Sequence, residues 1–285
     1  MLVSMSALEP TNCPICEHNQ TAFLFRKDDL NIVSCNQCRL IFVNPRVPAP
    51  VLAGDYISHY YPSEKRTQLV ADPMEWAQMT ERLAEVTAKT AGRRLLDLGC
   101  GMGTFLHLAK SAGWETCGVD LSQTGCQYAR EHYDLSVFCG DLFEANFPDA
   151  HFDVITLFHV LEHIPDPNPL LTEIRRILKP RIGKLVVEVP NGGSIQMKMQ
   201  RENWPYVHPK DHLYYFSCQS LTDLLQKNRF DQIEVGKPRR VNIGKGTMGL
   251  IRFAIQKQIS DLLVRFNLAT VIRLYASCTR PINFL

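Results

Sequence analysis

The chain has 285 residues, of which 45% are hydrophobic and 21% charged, with a formal net charge of +2. That length and hydrophobicity are enough to bury one large core and still carry a small accessory module. No run approaches the roughly 18 apolar residues of a bilayer span, and MLVSMSALEP lacks the basic start and apolar centre of a secretion signal, so a cytoplasmic protein is expected.

Residues 1–45 read as a compact β module, with short strands at 21–26 and 31–35 and a third run, 40–43, leading out of it. Four of the ten cysteines fall here as two C-x-x-C pairs, Cys13 with Cys16 and Cys35 with Cys38, separated by 18 residues. Each pair makes a turn whose sulfurs converge, and the hairpin between them brings the two turns together. This spacing is that of a tetrahedral thiolate site for zinc. A redox dithiol would need one pair in a βαβ setting, and four protein ligands leave no open position for water, so the expected metal is structural. The other six cysteines are scattered among apolar residues, as in a reducing compartment.

Pro45, Pro48 and Pro50 mark a linker, and an amphipathic helix is expected at 67–90, ended by Gly92, so that 46–91 joins the ribbon to the main domain. From residue 92 to the end the rhythm changes. Apolar runs at 95–98, 116–119, 137–139, 154–158 and 185–189 alternate with stretches of helical spacing, which is the pattern of parallel strands with crossover helices. In one of these helices Asn168 is the expected cap, Leu170, Leu171, Ile174, Ile177 and Leu178 form the buried stripe, and Pro180 stops it. A helix at 217–227 and a strand at 230–235 follow. The last segments expected are a basic amphipathic helix at 244–267 and an edge strand at 270–276. Residues 227–285 hold 11 Lys and Arg against three Asp and Glu, a bias that would suit an anionic partner, a membrane surface or a solvated face.

The first strand of the alternating region runs Leu95-Leu-Asp-Leu-Gly-Cys-Gly-Met-Gly103 into a helix. Glycines in such a turn let a ligand approach the backbone and the helix N-terminus. Glycines at 99, 101 and 103 miss the G-x-G-x-x-G spacing of a dinucleotide site by one residue. Asp120 ends the second strand and Asp141 follows the third, at the sheet edge where open α/β folds bind ligands. These motifs resemble those of class I S-adenosylmethionine-dependent methyltransferases over residues 92–235, and the whole chain is similar to the members of that family that carry an N-terminal zinc ribbon. The resemblance continues through FDVITLFHVLEHIPDP, LKPRIGKLVVEVPN and DHLYYFSCQSL. It implies a Rossmann-like seven-stranded sheet, with Asp97, Gly99 and Gly101 around the methionine portion of S-adenosylmethionine, Gly103 in the same cofactor-binding turn, Asp120 on its ribose and Asp141 beside adenine. Arg181-Ile182 departs from the family, which has glycine in that turn.

Methyl transfer asks the protein mainly to orient an acceptor and remove its proton. His159, Glu162 and His163 follow the fourth strand and are expected on one helical face, directed at the methyl end of the cofactor, His159 as a cofactor neighbour and His163 as first candidate base. A similar E-x-x-E-H stretch holds a divalent metal in some quinone and RNA methyltransferases, but His159 stands here at its first position. The resemblance makes the 191–216 segment part of the acceptor pocket and His212 a second base, with the 240–268 segment as the other cover. The expected acceptor is a small molecule, a sugar or a lipid-linked compound, with O-methylation favoured and the basic helix offering peripheral membrane contact. A nucleic-acid methyltransferase would use ribbon and tail to grip phosphates, but between Cys13 and Cys38 only Arg26 and Lys27 stand near Glu17, Asp28 and Asp29, which argues against it. The intact cofactor motifs argue against an idle binding module. Oligomeric state is not legible.

Overall fold

The computed structural model describes residues 8–51, 72–237 and 268–279, so the helix expected at 244–267 lies outside the described residues. The N-terminal strands are β1 (Thr21–Lys27), β2 (Leu30–Cys35) and β3 (Ile41–Val43), paired antiparallel in that order. Helix α1 (Pro73–Lys89) starts where Asp72 accepts the Met74 N–H, later than the residue 67 expected from sequence because Pro73 can only open a helix. Then follow β4 (Arg94–Leu98), α2 (Thr104–Ser111), β5 (Glu115–Asp120), α3 (Gln123–Tyr133), β6 (Val137–Cys139), β7 (Val154–Phe158), α4 (Pro167–Ile177) and β8 (Lys184–Pro190). The remaining elements are α5 (Ile195–Gln200), β9 (Tyr214–Tyr215), α6 (Cys218–Lys227), β10 (Asp231–Val235) and β11 (Val271–Ser277). Asp166, rather than Asn168, caps α4 by accepting the Asn168 N–H, which leaves Pro167 in the first turn.

Seven strands form one sheet in the order β10-β11-β8-β7-β4-β5-β6, with β11 antiparallel to both neighbours and the rest parallel. The chain leaves β4 toward β5 and β6, then crosses back to place β7 on the other side of β4. That reversal opens a crevice at the carboxyl ends of β4 and β7. Alternate residues of β4 serve opposite faces: Leu95 packs with Leu83, Val86, Leu106 and Ala109 of α1 and α2, and Leu96 with Ile174, Ile177, Leu221 and Leu224 of α4 and α6. Where the family has glycine, Arg181 takes a left-handed φ of 70° and donates its N–H to Cys278 O, so the turn survives the substitution.

The N-terminal sheet does not end at β3. Strand β9, from the 191–216 segment, pairs antiparallel with β3 through Ile41 opposite Tyr215 and Phe42 opposite Tyr214. Trp204, fully buried, packs with Phe25, Ile32, Val43 and Tyr215, so that segment contributes to the core of the N-terminal sheet. Cys13, Cys35, Leu40 and Phe42 join the same apolar layer as Ile174 and Leu221.

One charged cluster ties α1 to the sheet. Glu188 on β8 is fully enclosed; Arg82 of α1 donates from Nε to its Oε1 at 3.0 Å, and Arg273 of β11 from Nε to its Oε2 at 2.6 Å. Arg273 also reaches Glu81 at 3.1 Å and Glu85 at 2.5 Å. Burial alone would raise the Glu188 pKa, but Arg82, His159 and Arg273 hold it well below the usual carboxylate range. Removing one partner of such a cluster strands the others without water. Glu188→Ala is therefore expected to lower unfolding free energy by about 3–5 kcal/mol in urea titration, whereas a loss under about 1 kcal/mol would mean the two guanidiniums rehydrate freely.

Candidate cofactor and acceptor site

Strand β4 ends in a turn whose Gly99, Gly101 and Gly103 all have left-handed φ, 70°, 55° and 79°. A side chain at Gly99 would meet Val160 Cγ2 at 2.4 Å, so the glycine is needed for close packing as well as for its backbone shape. Helix α2 begins at the end of this turn with no side-chain cap on its first N–H groups. Asp97 is buried beneath the turn and accepts the Thr156 hydroxyl at 2.6 Å. Burial pushes its pKa up to about 7 against the lowering effects of Thr156 and Arg82. A carboxylate so placed suits a cationic ligand group, which would return the charge its burial disfavours.

Asp120 closes β5 with both oxygens already in use: Gly101 N–H donates to Oδ2 and Ser122 N–H to Oδ1, each at 2.7 Å. These bonds lock the glycine turn to the neighbouring strand, and the carboxylate retains lone pairs for two further donors such as ribose hydroxyls. Its pKa is raised, by burial above all. Asp141 lies exposed past β6 and accepts the Phe143 N–H. Leu121 and Phe143 are exposed apolar residues beside these two aspartates in sequence, an edge that suits a flat aromatic ligand such as adenine.

On the other side of the crevice the residues after β7 depart from the expected single helical face. His159 has a left-handed φ of 57°, and only Leu161–His163 form a 3₁₀ turn. The His159 ring lies between two carboxylates, Nδ1 at 3.3 Å from Glu162 and Nε2 at 3.4 Å from Glu188. Burial lowers its pKa, yet these two neighbours outweigh that and lift it to about 9, so the ring is an imidazolium at neutral pH. Its side chain keeps 31% exposure and lies parallel to the Tyr206 ring, with centroids 6.3 Å apart.

Glu162 is fully buried, and neither of its oxygens has an aligned hydrogen-bond donor among the described residues; the His159 contact is an ion pair of poor alignment. His163 and His212 stand against it, with one ligand-type atom from each of the three residues inside 4.8 Å of the others. Both rings are oriented by backbone carbonyls, His163 donating from Nδ1 to Asp211 O at 2.9 Å and His212 from Nδ1 to Tyr206 O at 2.8 Å. A carbonyl can only accept, so Nδ1 carries a proton in each ring. Burial, helped by the adjacent His163, pushes the His212 pKa down to about 4. Thus His163 and His212, far apart in the chain, meet edge to face with centroids 4.7 Å apart.

The four ribbon thiols also converge, all within 4.8 Å of one another and none in a disulfide, with Cys13 Sγ 3.3 Å from Cys38 Sγ and Cys16 Sγ 3.4 Å from Cys35 Sγ. Sulfurs at about 2.3 Å from a tetrahedral zinc would lie about 3.8 Å apart, so the set fits one ion after a small expansion. Burial drives the Cys13 pKa up to about 11 and that of Cys38 higher still. In Cys35 burial is outweighed by the N–H groups of Cys38 and Gln37, and the pKa falls to about 7.

A seven-stranded α/β sheet with this glycine turn and two carboxylates at its carboxyl edge is the class I methyltransferase fold. The chain belongs to the methyltransferase domain family, whose model matches residues 71–235. It is 32% identical over 106 residues to a ubiquinone biosynthesis O-methyltransferase of Thiobacillus denitrificans, covering 35% of this chain and 45% of that one. To the 27-O-demethylrifamycin SV methyltransferase of Amycolatopsis mediterranei it is 31% identical over 163 residues, 53% of this chain and 58% of that one. The chain thus spans about half the length of the curated relatives it matches. A SAM-dependent methyltransferase from Archaeoglobus fulgidus superposes with a TM-score of 0.54 at 23% identity, over 77% of this chain and 99% of that one, which speaks to the fold. No helix among the described residues is long and apolar enough to cross a membrane.

Glu188 and Tyr206 were not singled out from sequence, the first hidden in an ordinary apolar strand and the second one aromatic among several. The two ring states are measurable. Histidine ring ¹⁵N titration is expected to show His159 protonated until about pH 9 and His212 neutral above about pH 4; equal midpoints near the ordinary imidazole value would refute both environments.

Proposed function

We propose that this chain transfers the methyl group of S-adenosylmethionine to a hydroxyl of a small-molecule, sugar or lipid-linked acceptor. The single observation that carries the reading is the convergence of Glu162, His163 and His212, a buried carboxylate set against two imidazoles whose rings are oriented by backbone carbonyls. When bound, S-adenosylmethionine supplies an activated sulfonium methyl, and the residues suited to hold it are Asp97, Gly99, Gly101, Gly103, Asp120 and Asp141. Asp97 would face its ammonium group, Asp120 its ribose and Asp141 its adenine. The names of the relatives support oxygen as the atom methylated.

In this reading His163 Nε2 takes the acceptor's proton as the new carbon–oxygen bond forms, while the Asp211 carbonyl holds Nδ1–H and keeps the ring in that tautomer. His212, held neutral by burial, accepts from the acceptor and orients it. Glu162 steadies the positive charge that develops on His163. His159, already protonated and engaged by two carboxylates, is no base; its part is to hold Glu162 in place.

The four cysteines would bind one zinc ion that folds the ribbon and takes no part in the chemistry. Protein purified without chelator should contain about one equivalent of zinc by elemental analysis, and a content below about half would remove the metal from this account. Labelled S-adenosylmethionine incubated with extracts, followed by mass identification of the labelled product, would give the acceptor. On that acceptor His163→Ala and His212→Ala are each expected to lower turnover by about 10² or more and to leave cofactor affinity unchanged. Full activity in both variants would assign the histidines to structure alone.

A further inference from the structure

We infer that Arg46 is a positioning residue of the acceptor site, and that through it the thiolate ribbon forms part of that site. The inference rests on the acceptor-site reading given above. Arg46 lies in the linker just past β3 and is 9% exposed. Its Nη1 donates to Pro165 O at 2.7 Å and to the Tyr214 hydroxyl at 3.1 Å, and the Tyr214 hydroxyl itself donates to Pro165 O at 2.7 Å. Its one carboxylate contact among the described residues, Glu9 at 3.3 Å, is partly exposed. A guanidinium buried mainly against a carbonyl and a phenol is held by geometry more than by charge, since five donors in a rigid fork fix whatever accepts from them.

What Arg46 fixes are the two segments that carry the acceptor residues. Pro165 lies two residues past His163, and Tyr214 lies two residues past His212. Between them runs a short ladder: Val43 N–H donates to Leu213 O at 2.9 Å, and Leu213 N–H donates to Glu162 O at 2.8 Å. The ribbon is clamped from its other end too, where Asn168 and Lys227 donate to the carbonyl of Pro14, inside the first C-x-x-C turn. The second turn is closed just before β3 by the Cys35 N–H, which donates to Leu40 O at 2.9 Å. Position therefore passes from the thiolates through β3 and Arg46 to His163 and His212, and the cofactor turn at 99–103 takes no part in these contacts.

The test is hydrogen exchange and histidine NMR on the full chain, comparing the parent with Arg46→Met, Arg46→Lys and the milder Tyr214→Phe. Peptides spanning 159–165 and 206–216 are expected to exchange about tenfold faster in Arg46→Met, the scale set by losing one to two hydrogen bonds, with a smaller rise in Tyr214→Phe. The His163 and His212 ring signals should shift in Arg46→Met and return partway in Arg46→Lys, while those of His107 and His151 stay fixed. Exchange across 94–120, S-adenosylmethionine affinity and zinc content should match the parent. Stripping zinc from the parent with a chelator should loosen the same two peptides. Unchanged exchange and ring signals in both Arg46→Met and Tyr214→Phe would overturn the inference, as would a rise that extends equally to 94–120 in both. No acceptor is used, so failure of the acceptor reading, seen as full methyl transfer by His163→Ala and His212→Ala, is a separate result.

Discussion

Leu213 is bonded on both sides of one peptide unit's reach: its N–H to the turn that carries Glu162, its carbonyl to the N–H of Val43 in the ribbon. Backbone groups buried from water must find partners, and here those partners come from parts of the chain far apart in sequence. A consequence is that β9 belongs to the small N-terminal sheet although it is encoded within the larger domain. The ribbon and the 191–216 segment then share one apolar cluster around Trp204, and neither could be withdrawn without exposing the other.

The same crossing organises the charges. At the carboxyl edge of the sheet, Asp97 and Asp120 are buried and have raised pKa values, while Glu162 and Glu188, equally enclosed, have lowered ones. Burial acts on all four; the difference is company. The two glutamates share His159, and Glu188 also has Arg82 and Arg273, whereas the two aspartates meet mainly neutral donors. The sheet edge therefore has one side suited to a cationic ligand and another already balanced by protein cations, where the His163 and His212 rings meet.

The sequence by itself determined the alternation of strands and helices, the positive-φ glycine turn with its flanking aspartates, and the paired cysteines, because each rests on local spacing that the chain cannot satisfy another way. It also marked His163 and His212 as chemically distinctive, but not that they would touch. Only the tertiary structure decided that, through β9 pairing with β3, and only it decided that His159 would become an imidazolium, since its state depends on Glu188 from a neighbouring strand. The start of α4 shows the limit at short range, where Asn168 was the expected cap and the structure uses Asp166 instead, which leaves Pro167 in the first turn. Local signals fix elements because their partners lie within a few residues; ring states, contacts between distant histidines and the role of Arg46 depend on groups that only folding brings within a few ångströms.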